Sequence, residues 1–320
     1  MTAAAAAGGP PPPSTPPAPS SPPNEKRAAA APSSSSPPSP LEQLARAHPE
    51  MRRAAALLGA LAGAVAEGAA AWRDGGHQQR LDPAVLAARL DGGVPALTGE
   101  RLLDGAELLA AVRRVAAALE RAGAGEAARA VVAALGDARA LGAEGADALA
   151  EEALAGEWDG ARDLARRLDL DDDALVTLLD YAVRGALRAA GARVAELRAT
   201  PGAVRREWDR GRCPACGAPP VLAELRGKEQ SRTLRCARCD GAWSFPRVAC
   251  PACGERDHRK LVAVHGEGEE SYRRADCCDS CGTYVKAVAT LAPLSPDALM
   301  ETDLATAALD MVAVDRGYHR

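Results

Sequence analysis

The chain has 320 residues, of which 47% are hydrophobic and 26% are charged, so it is long enough for two domains with sizeable cores. Its net charge of -4 gives the whole chain no signature of nucleic-acid binding. It contains no run of 18 or more apolar residues, so we expect no membrane insertion.

Residues 1–40 consist almost entirely of Ala, Pro, Ser and Gly. Such a segment cannot bury enough apolar surface to offset the entropy lost on ordering, so a disordered tail is predicted. A short polyproline II helix over Pro10 to Pro13, available to a partner, is the alternative.

Residues 41–204 are predicted to form an all-helical domain, because apolar side chains recur at spacings of three and four. Only 3% of the chain is aromatic, so this core must be mainly aliphatic. The predicted helices cover residues 41–47, 51–72, 83–90, 98–123, 126–135, 146–154, 159–168 and 171–200.

Three of these helices have predicted N-caps. Asp82 precedes Pro83, and proline is favoured at the first helical position. Thr98 is the expected cap of the fourth predicted helix. Asp171 begins an acidic run that suits the positive end of a helix dipole, and Thr200 ends the helix that follows.

Beyond Arg212 the helical periodicity disappears. Short β-like runs take its place, and a last helix is expected over residues 299–314. The predicted strands cover residues 221–225, 231–235, 242–248, 261–264 and 283–290.

All nine cysteines lie within this same segment. Eight of them form four Cys-x-x-Cys pairs, and a two-residue gap lets both sulfurs of a pair face one metal ion. The candidate metal ligands are Cys213, Cys216, Cys236, Cys239, Cys250, Cys253, Cys278 and Cys281.

The cysteine segment contains an internal repeat, because residues 213–217 and 250–254 both read Cys-Pro-Ala-Cys-Gly. Each is followed by strand-like runs and a second pair, with spacers of 19 residues (217–235) and 24 residues (254–277). This pattern predicts two successive four-cysteine modules, residues 205–248 and 249–320, each built from two knuckles.

A glycine directly follows three of the four pairs and allows the positive φ that such a turn often needs. In the remaining pair Gly241 comes one residue late, after Asp240, so we expect that knuckle to differ.

Four thiolates suit zinc, mononuclear iron or an iron–sulfur cluster, and spacing does not separate these. A closed four-sulfur site lacks the open position that metal catalysis uses, so we expect a structural role and predict no catalytic residue. Cys277 is not expected to be a ligand, because only Cys278 preserves the two-residue gap. His258 and His265 are expected to be surface or hairpin residues, because four cysteines are already available as ligands.

One charge pattern favours a different function. Residues 205–260 carry 13 Lys/Arg against 7 Asp/Glu, whereas residues 261–320 carry 5 against 10. A basic zinc ribbon beside Trp243 and Phe245 could bind nucleic acid, and this is an alternative. The acidic second half argues against a long phosphate-binding groove, so we do not expect a nucleic-acid partner.

The ordered set of motifs resembles the FdhE-type formate dehydrogenase accessory (formation) proteins. This resemblance covers most of the chain after the tail. The segments that carry it are Arg212–Gly217 with Pro219–Val221, Leu234–Cys239 with Trp243, Arg247–Cys250, Cys278–Lys286, Asp303–Thr306, Ala308–Asp310 and Gly317–Tyr318.

The resemblance implies a helical domain followed by two tandem rubredoxin-like (zinc-ribbon-like) modules that bind one metal ion each, with iron favoured and zinc possible. It also implies a cytoplasmic accessory protein, not an enzyme, that binds the immature catalytic subunit of formate dehydrogenase. The chain departs from the family in its tail, in Cys277, in Ser244 where relatives can carry histidine, and in a helical domain poor in aromatics. A redox-active iron protein in cofactor maturation is a further alternative, and no oligomeric state is predicted.

Overall fold

The structure, a computed structural model, describes residues 40–320 apart from residue 137 and residues 267–271. The predicted disordered tail, residues 1–40, lies outside the described residues except for Pro40, which begins the first helix.

The first part of the described chain is helical, which confirms the predicted all-helical region. The structure also extends the predicted 146–154 helix backward to Ala138. The helices are α1 (Pro40–Ala47), α2 (Arg52–Asp74), α3 (Pro83–Asp91), α4 (Gly105–Arg121), α5 (Glu126–Gly136), α6 (Ala138–Ala155), α7 (Asp159–Arg167) and α8 (Asp172–Ala199).

Two of the three predicted caps are confirmed. The Asp82 carboxylate accepts a hydrogen bond from the Ala84 amide at 2.8 Å, and α3 begins at the next residue. The Asp171 carboxylate accepts from the Ala174 amide at 2.7 Å and begins α8. Each carboxylate therefore satisfies an amide that has no partner within its own helix.

The predicted cap at Thr98 is wrong. Asp104 caps α4 instead, because it forms a reciprocal capping box with Glu107, with hydrogen bonds of 2.8 and 2.9 Å. Leu102 and Leu103, which the prediction placed inside the helix, are buried in the segment before it. Apolar periodicity alone did not reveal where the backbone becomes helical.

Helices α2, α4 and α8 form the centre of the helical region, where α2 packs against both others. The stretch Pro49–Asp74, which contains α2, is long and apolar enough to cross a membrane by length and composition alone. Within the described chain, however, Trp72 of this helix is buried and donates to the Leu102 carbonyl at 2.9 Å. The apolar face of α2 therefore forms part of this core.

The strands form one six-stranded sheet with the order β3-β2-β1-β6-β5-β4. Each half is an antiparallel meander, and β1 and β6 join the two halves as a parallel pair. The strands are β1 (Leu222–Arg226), β2 (Ser231–Arg235), β3 (Ala242–Ser244), β4 (Leu261–Val264), β5 (Arg273–Cys278) and β6 (Tyr284–Thr290).

Two strand predictions differ from the structure. Strand β3 ends at Ser244 rather than at Val248, and Pro246 in this stretch has no amide for a sheet ladder. Strand β5 was not predicted, because the charged side chains in Arg273–Cys278 gave no apolar alternation.

The predicted C-terminal helix is two helices, α9 (Pro296–Ala305) and α10 (Ala307–Asp315), which Thr306 separates. Both helices are tied to the sheet by the fully buried Lys286 of β6. Its ammonium group lies 2.7 Å from a carboxylate oxygen of Asp303 in α9 and 2.7 Å from one of Asp310 in α10. The buried cation therefore has two anionic partners.

The described residues after the tail belong to one unit. The predicted borders between residues 204 and 205 and between 248 and 249 stay predictions. Strands β1 and β6, which come from the two predicted modules, are hydrogen-bonded neighbours, with Leu222 opposite Lys286. One core also runs from the helices to Cys213 and Trp243.

The crossing of α2 and α8 allows a test of this packing. A Cβ added at Gly185 of α8 would lie 2.8 Å from the Gly68 carbonyl carbon of α2, closer than real contacts allow. We predict that Gly185→Ala lowers the free energy of unfolding by about 1–3 kcal/mol, measured by chemical denaturation.

Gly63→Ala is the matched control, because an added Cβ at Gly63 in α2 meets no atom within 4 Å. It should leave stability unchanged or raise it by up to about 1 kcal/mol, since alanine is the better helix former. Equal effects of the two substitutions would contradict the close crossing.

Candidate metal centres

All four cysteine knuckles have the same backbone geometry. In each, the amide of the first cysteine donates to the carbonyl five residues later, at 2.8 to 2.9 Å. These pairs are Cys213 with Ala218, Cys236 with Gly241, Cys250 with Glu255 and Cys278 with Thr283. The repeated sequence pattern therefore produces a repeated turn.

The residue before that carbonyl has a positive φ in every knuckle. Gly217, Gly254 and Gly282 have φ values of 77°, 80° and 71°, as their position predicts. In the remaining knuckle Asp240 adopts φ 58°, a conformation that Asp tolerates better than most residues. The expectation that this knuckle differs is therefore wrong for its backbone and correct only for its residue type.

The first cluster brings together Cys213, Cys216, Cys236 and Cys239, whose sulfurs all lie within 4.8 Å of one another. The Sγ–Sγ distance is 3.4 Å between Cys213 and Cys239 and 3.5 Å between Cys216 and Cys236. A tetrahedral ion with metal–sulfur bonds of about 2.3 Å separates its sulfurs by about 3.8 Å. These four thiols therefore fit one ion of zinc or iron size.

The second cluster brings together Cys250, Cys253, Cys278 and Cys281 within the same limit of 4.8 Å. Two of its Sγ–Sγ distances are 3.7 Å, close to the tetrahedral value of about 3.8 Å. Each cluster could hold one metal ion, and neither shows an open coordination position among its four sulfurs.

The two clusters differ in burial. In the first, three thiols are buried, and Cys216 is half-buried. In the second, Cys253 occupies the same place in its knuckle as Cys216 but is exposed to solvent. The second cluster is thus the one that solvent and small molecules reach directly.

Without a cation the thiols in each cluster oppose one another's ionisation. Burial raises the pKa of Cys213 well above its usual value, while hydrogen bonds from neighbouring thiols hold the pKa of Cys216 well below it. Although the Cys253 side chain is exposed, partial desolvation of its sulfur and hydrogen bonds with the other three thiols raise its pKa to about 12. Since a metal binds thiolates, its binding must displace the protons that these clusters otherwise retain.

Backbone amides offset part of the sulfur charge. The Ala218 amide donates to the Cys216 sulfur, and the Glu255 amide donates to Cys253 in the equivalent position. Burial opposes ionisation of Cys281, but hydrogen bonds from Thr283 and the nearby thiols outweigh it and lower its pKa to about 7. Such donors stabilise thiolates whether or not they are bound to metal.

The first cluster is attached to helix α8 through the knuckle 236–240. Arg238 donates from Nε to an Asp180 carboxylate oxygen at 2.8 Å, and Asp240 pairs with Arg188. Gly191 of α8 faces the same knuckle, where an added Cβ would lie 2.9 Å from the Cys239 carbonyl oxygen. Two ion pairs and the close packing of the knuckle backbone against Gly191 together hold this knuckle on α8.

The first knuckle is attached to the helical region at another place. The amides of Ala96 and Leu97, which follow α3, donate to the carbonyls of Pro214 and Ala215 at 2.8 and 2.9 Å. Sequence reasoning missed these contacts, as it missed the partners on α8, because no local pattern marks them. Gly191, a glycine inside an apolar helix, is a local sign that another segment packs closely against α8.

Cys277 lies outside both clusters. Its side chain is buried in β5, opposite Tyr284 of β6 and Val262 of β4, and burial raises the pKa of its thiol to about 12. His258 and His265 also belong to neither four-sulfur group. Cys277, His258 and His265 thus lie outside both four-sulfur groups.

The separation of Cys277 from its neighbour can be measured. We predict that Cys277→Ala retains as much metal as the unmodified protein, whereas Cys278→Ala loses the ion of the second cluster. Metal analysis of purified protein by plasma mass spectrometry gives the count. A loss of metal in Cys277→Ala would contradict the assignment of Cys278.

The difference in burial predicts two rates of metal release. A coloured chelator should remove the ion at the exposed Cys253 faster than the ion of the buried first cluster, which stopped-flow absorbance would show as two phases. Cys253→Ala should lack the fast phase, and Cys216→Ala, its counterpart in the first cluster, should lack the slow phase. A fast phase that persists in Cys253→Ala would refute this order.

Comparisons with known proteins agree with the geometry. The family model for the FdhE C-terminal domain matches residues 248–320. A Protein FdhE homolog of Stutzerimonas stutzeri (strain A1501) is 36% identical over 121 residues, and one of Pseudomonas aeruginosa is 38% identical over 125 residues. The Protein FdhE of Escherichia coli O127:H6 is 33% identical over 124 residues.

These alignments cover 37% to 38% of this chain and 38% to 40% of the curated relatives. A crystal structure of the FdhE protein from Pseudomonas aeruginosa matches more extensively, over 82% of this chain and 93% of that one, with 27% identity and a TM-score of 0.50. The predicted resemblance to the FdhE family is therefore confirmed.

Proposed function

We propose that this chain, as its resemblance to the FdhE family implies, is an accessory protein in the formation of active formate dehydrogenase. It binds the immature catalytic subunit in the cytoplasm and catalyses no reaction itself. It carries two metal ions, one in each four-cysteine cluster, and iron is the metal that the family resemblance favours.

The observation that carries this proposal is the pair of four-sulfur clusters on one sheet, set beside a helical region in a chain that matches an FdhE crystal structure over 82% of its length. Both clusters are closed by four protein ligands, which leaves substrate no coordination position. A scaffold or recognition role therefore suits them better than metal catalysis.

The nucleic-acid alternative loses its structural support. Trp243 and Phe245, the aromatic residues that could stack on bases, are both buried, and the Trp243 indole donates to the Arg210 carbonyl at 3.0 Å. Part of the basic excess is also paired with carboxylates outside residues 205–260, as in the pairing of Arg238 with Asp180 and of Arg205 with Asp91. The two buried rings therefore offer no stacking surface of the kind that single-stranded nucleic acid requires.

Deletion of the gene in its own organism, followed by complementation, tests the proposal. Formate-dependent dye reduction should fall on deletion and return with the unmodified protein. Cys277→Ala should restore it as well, whereas Cys278→Ala, which breaks the second cluster, should not. Undiminished formate dehydrogenase activity in the deletion strain would refute the proposed function.

Partner binding requires a separate measurement. The full-length tagged chain should co-purify with the formate dehydrogenase catalytic subunit when the two are expressed together, and less so with the mature enzyme. Restored activity without any such complex would retain the accessory role and refute direct binding.

A further inference from the structure

Two depressions in the surface meet at Arg212. The larger, of about 920 Å³, lies between α8 and β6, and the smaller, of about 330 Å³, lies between the segments 209–212 and 249–256. We call the two together the arginine groove, because the same residues line both, namely Gly211, Arg212, Pro251 and Ala252. The larger depression alone is near the upper end of the about 300–1,000 Å³ typical of small-molecule sites. The whole groove therefore has room for a short segment of a protein.

Two exposed arginines line this groove and have no carboxylate partner among the described residues, Arg212 and Arg256. Arg212 donates from Nη1 to the Gly217 carbonyl at 3.3 Å, and Gly217 itself lines the larger depression. The guanidinium group of Arg212 therefore lies at the wall of the groove, with most of its N–H donors still available. Because both side chains are exposed to solvent, an incoming anionic group can reach them directly.

The carboxylates on the wall of the groove already have cationic partners. Asp180 of α8 accepts from Nε of Arg184 at 2.9 Å and from Nε of Arg238 at 2.8 Å, and both arginines line the larger depression with it. Asp209, in the smaller depression, lies 3.8 Å from Arg206. The positive charges of Arg212 and Arg256 thus remain uncompensated by the lining carboxylates, which favours an acidic occupant.

The rest of the larger depression is mainly apolar, and its apolar side chains are half-buried or exposed, which is typical of an interaction surface. They include Trp158, Val176, Tyr181, Pro219 and Val221. The guanidinium of Arg238 lies 5.8 Å from the centre of the Trp158 ring, and that of Arg184 lies 4.0 Å from the centre of the Tyr181 ring. Since an arginine already covers one face of each ring, the groove suits a protein segment better than stacked bases.

We propose that the arginine groove is the docking site for an acidic segment of a partner protein. Arg212 and Arg256 pair with carboxylates of that segment, and the apolar wall of the larger depression covers its hydrophobic side chains. This inference rests on the proposed function, in which the partner is the immature catalytic subunit of formate dehydrogenase.

A purely structural role for the two arginines gives a different experimental result. Cys216 lines the larger depression and Cys250 the smaller one, and four thiolates with one divalent ion carry an excess of negative charge. If Arg212 and Arg256 only offset that charge, their replacement would lower the metal content of the protein and leave partner binding unchanged.

Co-purification of the full-length tagged chain with the co-expressed catalytic subunit tests the groove. The double variant Arg212→Glu/Arg256→Glu should recover at least about tenfold less subunit, because two attractive charges become repulsive, and its metal content should stay unchanged. Arg113→Glu/Lys228→Glu is the matched control for net charge. Both of its residues are exposed, line neither depression and have no carboxylate partner within the described chain, so its recovery should equal that of the unmodified protein.

Thr177→Trp tests the same groove without removing a charge and decides alone if the double glutamate variant loses metal. Thr177 is an exposed residue of α8 on the wall of the larger depression, so an indole there would occupy the space of the partner segment. Recovery of the subunit should again fall at least severalfold.

Three results would overturn the docking site. Recovery that is unchanged in Thr177→Trp, or in a metal-replete double glutamate variant, would reject the groove and leave the accessory role intact. An unmodified chain that recovers no subunit would reject the groove and direct binding together, while activity in the deletion strain still decides the accessory role. Displacement of the subunit by an excess of single-stranded RNA would reject a protein segment as the occupant.

Discussion

Mutual repulsion limits the ionisation of clustered thiols, so four thiols within 4.8 Å of one another cannot all ionise without a cation. Two such clusters occur, and the chain supports each with the same turn, a cysteine amide bonded to the carbonyl five residues later. The sheet brings the paired knuckles together, and the amides of Ala218 and Glu255 add donors at the sulfurs. A metal ion bound at either cluster would therefore stabilise the fold of the C-terminal half, because its ligands come together only in the folded chain.

The two clusters pack in different surroundings although their sequences repeat. The first is continuous with the helical core and is held on α8 by Arg238 and Asp240, so loss of its ion would disturb both halves. The second has a small core of its own and an exposed thiol at Cys253. The buried cluster is suited to stability, and the exposed one to contact with a ligand or a partner.

The sequence allowed some of this to be predicted and hid the rest for physical reasons. The cysteine spacing identified the members of each cluster, and Asp82 and Asp171 identified helix starts, because these are local chemical requirements. The shared sheet, the contacts of Arg238 with Asp180 and the buried Arg232 depend on residues far apart in the chain, so no local pattern could reveal them. Asp240 was misjudged because a left-handed turn needs a tolerant residue, which is usually but not always glycine.

We propose that each four-sulfur cluster holds one metal ion. X-ray absorption spectroscopy of protein purified without oxygen, combined with metal analysis, tests it most directly. We expect two ions per chain, each with four sulfur neighbours at about 2.3 Å and no nitrogen or oxygen ligand. Fewer than two ions in the unmodified protein, or a first shell that contains light atoms, would contradict it.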